Sequence, residues 1–218
     1  GRGLSSWARD VEMDYSYAAY GRHAMGVLDH YGLDAVSWLG TSMGGLLGVT
    51  LASGMLKGRI RRLVVNYIGP SIPDTATARI ADYVGNPPVF DHVSEMERWF
   101  RQSYAPFGSN SDSFWRRMTD TSTRRMDAGR VTVHYDPQIV TQFTLHRSDL
   151  DCWPAWDGVE CPTLLLRGMQ SDVLPAPVAE EMRSRGPRPH LREFAGVGHA
   201  PTLASFAEIA ILREFLAD

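Results

Sequence analysis

Cysteine is scarce: the 218-residue chain has two, Cys152 and Cys161. They show neither metal-ligand spacing nor the density of a disulfide framework, so both read as free thiols and a reducing cytoplasm is the expected compartment. No apolar run approaches the roughly 20 residues that span a bilayer, and no membrane partner is expected. Neither sign of charge dominates: 22 Lys and Arg against 25 Asp and Glu leave a net charge of −3. That balance gives no basis for binding nucleic acid. The start, Gly1-Arg2-Gly3-Leu4-Ser5-Ser6-Trp7, lacks a basic leader followed by an apolar core, so no signal peptide is expected. Internal repeats and low-complexity tracts are missing as well. With 44% hydrophobic and 22% charged residues, the composition is that of an ordinary soluble domain, long enough to carry an inserted subdomain.

What is present is organised around Val36-Ser37-Trp38-Leu39-Gly40-Thr41-Ser42-Met43-Gly44-Gly45-Leu46-Leu47. A short apolar run ends at Gly40, and a helical pattern starts just after Ser42. Strand, sharp turn and helix, with G-x-S-x-G at the turn, is the setting in which a serine is lifted off a sheet as a nucleophile. The turn strains the serine backbone and asks for small neighbours at Gly40, Gly44 and Gly45. It also places Ser42 at a helix N-terminus, where the Met43 N–H can face a developing oxyanion. The competing reading of such a turn is a phosphate-binding loop.

Around this centre the chain alternates strands and helices, which implies a parallel sheet with helices on both faces. Asp14 reads as the N-cap of an amphipathic helix running through Tyr17, Tyr20, Ala24, Val27, Leu28 and Tyr31, its aromatics in the core. The strand Ala35–Leu39, the turn and a helix to about Leu56 follow, then a buried strand over Arg61–Ile68. From residue 71 to 161 the character changes. Helical patterns over Ala76–Val84, Val93–Tyr104 and Asp112–Arg125, an extended Arg130–Tyr135 and many aromatics suggest a cap over the sheet. Its Trp99, Tyr104 and Trp115, with Thr41 of the turn, are the expected substrate-binding residues. Residues 1–70 and 162–218 form the core on either side. The second half has strands Thr163–Gly168 and His190–Phe194, a helix Pro177–Ser184, and a closing helix with Phe206, Ile209, Leu212 and Leu216 as its apolar stripe.

In a parallel sheet, the loops at the carboxyl ends of the strands gather on one rim. Three such loops carry Ser42, Asp172 and His199. A lone serine hydroxyl is a weak nucleophile, so His199 would remove its proton, and Asp172 would orient the imidazole and stabilise the imidazolium. His23, His30, His92, His134, His146 and His190 sit in helices, a strand or the cap and read as surface or packing residues. Asp149, Asp151 and Asp157 are the rival carboxylates, and Asp172 itself could be a helix cap in a solvated loop.

G-T-S-M-G-G, R-G-M-Q-S-D-V-L and G-V-G-H-A-P-T-L, in that order, resemble the nucleophile, acid and histidine loops of the α/β-hydrolase superfamily, lid-bearing branch. The opening G-R-G-L-S-S is similar to the loop after that fold's fourth strand. The resemblance implies an α/β-hydrolase fold with a helical lid and a serine hydrolase of esters or related acyl bonds, acting through an acyl-enzyme on a small-molecule substrate without cofactor or metal. Serine at the turn argues against dehalogenases and epoxide hydrolases of that fold. C–C bond cleavage beside a carbonyl is the second enzymatic reading; a ligand receptor that keeps the pocket is the reading from another class. The resemblance also implies that the family's first strands are not in this sequence, so a further N-terminal segment would pair the Ser42 strand and supply the second oxyanion donor. A homo-oligomer stays open.

Overall fold

The computed structural model describes residues 1–217; Asp218, the last residue of the 162–218 core segment, lies outside them. α1 (Val11–Asp14) and α2 (Tyr17–His30) precede β1 (Val36–Thr41), α3 (Met43–Ser53) and β2 (Ile60–Asn66). The next stretch holds α4 (Asp74–Gly85), β3 (Val89–Phe90), α5 (Val93–Ser103), α6 (Asp112–Ser122), β4 (Thr123–Arg125), β5 (Val131–Val133), α7 (Thr141–Thr144) and α8 (Trp153–Asp157). The chain closes with β6 (Thr163–Gly168), α9 (Ala176–Ser184), β7 (His190–Phe194) and α10 (Phe206–Ala217).

β1, β2, β6 and β7 form one parallel sheet in that order. Alternation along its strands decides what covers each face. Leu63, Val65 and Leu165 point into the main core with α3, whereas Val64, Leu164 and Leu166 meet Ile211, Leu212, Phe215 and Leu216 of α10. The sheet is thus flanked by helices on both faces. Register aligns the carboxyl ends: Thr41 lies beside Asn66, Asn66 beside Leu166, and Gly168 beside Phe194. The residues that follow these strands therefore emerge on one rim. β1 is an edge strand among the described residues, and Leu39 on it is 41% exposed.

A second, antiparallel sheet, in the order β3-β5-β4, packs with α5 and α6 around its own small core of Met96, Phe100, Trp115, Val131 and Val133. The stretch from residue 71 to 161 is not one body, however. Ala76, Ile80 and Val84 of α4, together with Ile139, Cys152 and Trp156, belong to the main core.

Several local expectations are corrected. Ser16, not Asp14, caps α2 by accepting from the Ala19 N–H, while Asp14 accepts from Arg9 and Asp10. The apolar face of α2 and its C-cap is only half used: Tyr17 is buried but Val27 and Tyr31 are 55% and 69% exposed. The helix expected to reach Arg125 stops at Ser122, because its last three residues pair with β5. Phe206 is not part of the apolar stripe of α10 and stands in solvent.

Candidate active site

Ser42 sits between β1 and α3 with φ 53° and ψ −121°. That region is sparsely populated for a residue with a Cβ and costs about 1–3 kcal/mol. The surroundings hold it there. Its N–H donates to the Asn66 carbonyl at 3.2 Å, and its own carbonyl accepts from Gly45 and Leu46 at 2.7 and 3.2 Å. The Trp38 indole donates to the Gly44 carbonyl at 2.9 Å, bracing the turn from below. Two of the three glycines are required sterically. A Cβ on Gly40 would lie 2.1 Å from the Gly44 oxygen, and one on Gly45 would lie 2.7 Å from Ile68 Cγ2. Gly44 is different: a Cβ there meets nothing, so the steric expectation for it is withdrawn. Gly40→Ala should accordingly cost about 3 kcal/mol, because backbone atoms of α3 would have to shift. Urea denaturation against the wild type checks this, with Gly44→Ala as the mild control.

Tyr67, the first residue after β2, packs against the histidine. It is buried, with φ 53°. Its ring centroid is 4.7 Å from that of His199. On the other side the Phe107 ring stacks on His199 at 5.8 Å and 13°. The histidine loop is anchored at its backbone too: Gly198 and His199 N–H groups both donate to the Pro106 carbonyl, at 2.8 and 3.0 Å, and Gln170 donates to Val197 at 3.0 Å. Asn66, 1% exposed, ties the loop to the turn by donating to Thr41 Oγ1 at 3.2 Å and the Pro201 carbonyl at 3.0 Å.

Asp172 Oδ1 is 4.0 Å from His199 Nδ1, beyond hydrogen-bond range, and that nitrogen is buried without a partner. The other carboxylate oxygen accepts from Arg79 of α4 at 2.6 Å. This pair is half-exposed and worth about 0–1 kcal/mol. Two of the three rival acids are occupied elsewhere: Asp149 accepts from the Tyr17 N–H, and Asp157 is paired with Arg185. Burial first, and Arg79 second, lower the His199 pKa to about 4, with Asp172 acting in the opposite direction. The imidazole is therefore neutral at neutral pH.

The Met43 N–H lies in the first turn of α3, where no helical carbonyl is available to accept it. Thr41 is exposed and its hydroxyl is taken by Asn66. Tyr104 stacks on Phe107 at 4.9 Å and so stands one ring away from His199. Trp99 packs edge-on to Tyr104 at 6.0 Å, a further ring away. Trp115 is buried in the second core beneath Arg101, away from Ser42. Clefts of about 490 and 500 Å³ flank Phe114 beside the histidine loop, and neither is lined by Ser42, Asp172 or His199. Tyr67, Asn66, Phe107 and Arg79 carried no motif; position at a strand's carboxyl end was the one signal available for Asn66 and Tyr67. Among the described residues, no three His, Cys, Asp or Glu side chains are grouped to hold a metal, and no helix is long and apolar enough to cross a membrane.

A parallel sheet with a serine on the turn after one strand, and an acid and a histidine after later ones, defines an α/β hydrolase. The comparisons agree, and the chain belongs to the alpha/beta hydrolase family, whose model matches residues 1–211. It is similar to a 3-hydroxybutyrate-oligomer hydrolase of Cupriavidus necator, 33% identical over 99% of this chain and 76% of that protein. Among solved structures, an alpha/beta hydrolase from Novosphingobium aromaticivorans is 32% identical with a TM-score of 0.87, over 100% of this chain and 77% of that one. A Rickettsia typhi protein superposes with a TM-score of 0.90 at 27% identity, over 100% of this chain and 74% of that one.

Proposed function

We propose that the chain is a serine hydrolase of carboxylic esters working through an acyl-enzyme. The observation that carries the reading is Ser42 held at φ 53° on the turn after β1, on the same sheet rim as the buried His199, whose Nδ1 has no partner. In this mechanism His199 takes the Ser42 proton as the oxygen attacks the ester carbonyl, and the Met43 N–H stabilises the oxyanion. The protonated imidazole, steadied by Asp172, then returns its proton to the leaving alkoxide. A water activated by the same histidine releases the acid. The cap region, through Phe107 and Tyr104, forms the wall facing His199, and an ester between hydroxy acids is the first natural substrate class to try, on the strength of the Cupriavidus relative. The bare outer edge of β1 supports a further strand pairing there in the working protein; hydrogen exchange at Ser37 and Leu39 in the longest natural form tests it, with fast exchange counting against it.

Labelling by a fluorophosphonate probe, together with a burst of p-nitrophenol equal to the enzyme concentration, tests the acyl-enzyme. Absence of both overturns the reading. The pH profile supplies an independent check. His199 acts as a base only while neutral, so activity is present above its pKa and lost as pH falls through it. With that value lowered from 6.5 to about 4, the acid limb of kcat/KM should fall well below pH 6.5. A limb centred at the ordinary histidine value would contradict the burial on which this rests.

A further inference from the structure

Asp172 is divided between two partners. One oxygen faces the orphaned, buried Nδ1 of His199 from 4.0 Å; the other holds the Arg79 guanidinium at 2.6 Å. The guanidinium thus keeps the carboxylate from closing on the histidine that needs it. Arg79 comes from α4, not from the sheet, and its side chain is 43% exposed. One turn further along α4 lies Tyr83. The Tyr83 ring meets Tyr104 at 6.3 Å, and Tyr104 leads through Phe107 to His199. Burial raises the pKa of Tyr67, Tyr83 and Tyr104, so all three phenols stay protonated. A half-exposed guanidinium whose partner is a single carboxylate suits an oxygen-rich, anionic group better than a plain acyl chain.

We propose that Arg79 is the receptor for a carboxylate on the substrate, and that an ester carrying a free carboxylate, by taking the guanidinium, releases Asp172 to hydrogen-bond His199. This rests on the serine-hydrolase reading above and names its substrate class: carboxylate-terminated esters, such as short oligoesters of hydroxy acids or hemiesters of dicarboxylic acids. The exchange is of like for like. One carboxylate replaces another on a planar, bidentate donor, and a half-exposed ion pair is weak enough to yield. Arg79 is a binding residue toward the substrate and a positioning residue toward His199.

The test uses p-nitrophenyl hydrogen esters of succinate, glutarate and adipate, each beside its methyl-capped neutral counterpart, with spontaneous hydrolysis subtracted. In wild type the free acid should exceed its capped partner by about 10–100-fold in kcat/KM at one chain length or more. Arg79→Gln should bring that ratio close to one, while kcat for the capped ester rises because Asp172 is freed. Arg79→Lys should restore part of the ratio, since the charge remains and the fork is lost. The acid limb of kcat/KM should move upward in Arg79→Gln, because a cation that disfavours imidazolium has gone. A ratio near one in wild type at every length, or a parallel fall for acid and capped esters in Arg79→Gln, overturns the proposal. Hydrolysis of the capped esters that survives Ser42→Ala instead overturns the serine-hydrolase reading, so the two failures are separable.

Discussion

Ser42→Ala should lower kcat/KM for p-nitrophenyl butyrate by about 10⁴-fold or more and abolish fluorophosphonate labelling, with the melting temperature nearly unchanged. The size of the loss follows from what the hydroxyl does. It forms the covalent bond that divides one difficult displacement into two easier ones, and nothing beside it can substitute. The Tyr67 phenol on the same rim is no substitute, because burial holds its proton at any working pH. The small effect on stability follows from the backbone. The turn is held by N–H and C=O groups of Ser42, Asn66, Gly45 and Leu46, all of which alanine keeps. Alanine at φ 53° is as strained as serine, so the strain does not change with the substitution. Stopped-assay turnover at high enzyme concentration, with labelling and a thermal melt on the same sample, gives the answer. Turnover within tenfold of wild type would mean that the reaction does not run through this oxygen.

The sheet was legible because its physics is local. Buried parallel strands read as short apolar runs, and Thr163–Gly168 falls where such a run does. The turn was legible for a steric reason: Gly40 has the Gly44 backbone within 2.1 Å of any Cβ, a constraint that leaves its mark on the sequence. Arg79 was not legible. It lies on a helix whose surface spacing gives an arginine no distinction, and its meaning comes entirely from where α4 packs, against Val140 and the main core. Trp115 shows the converse. Its size and position marked it as pocket-lining, yet a small antiparallel sheet needs an apolar centre of its own, and Trp115 fills that centre. The end of the helix at Ser122 has the same origin. Strand pairing of Thr123–Arg125 with β5 overrides a helical periodicity that continues through them.

The alternative role for Asp172, as a cap on the loop before α9, is already filled by its neighbour: Ser171 Oγ accepts from the Leu174 N–H at 3.1 Å. Asp172→Asn should therefore do little to the loop and much to the chemistry, lowering kcat/KM by about 10³–10⁴-fold. Two electrostatic consequences separate this loss from simple misfolding. The Asp172 charge favours imidazolium and Arg79 opposes it, so removing the carboxylate leaves Arg79 unopposed and pushes the His199 pKa further down. The acid limb thus moves to lower pH in Asp172→Asn, opposite in direction to Arg79→Gln, and no choice of pH recovers the activity. The amide can also donate to Nδ1 and select the unproductive tautomer, which a shorter neutral residue cannot do. Asp172→Ala should then retain at least as much activity as Asp172→Asn. A kcat/KM loss under tenfold in both variants, at all pH values, would place the acid elsewhere in the chain.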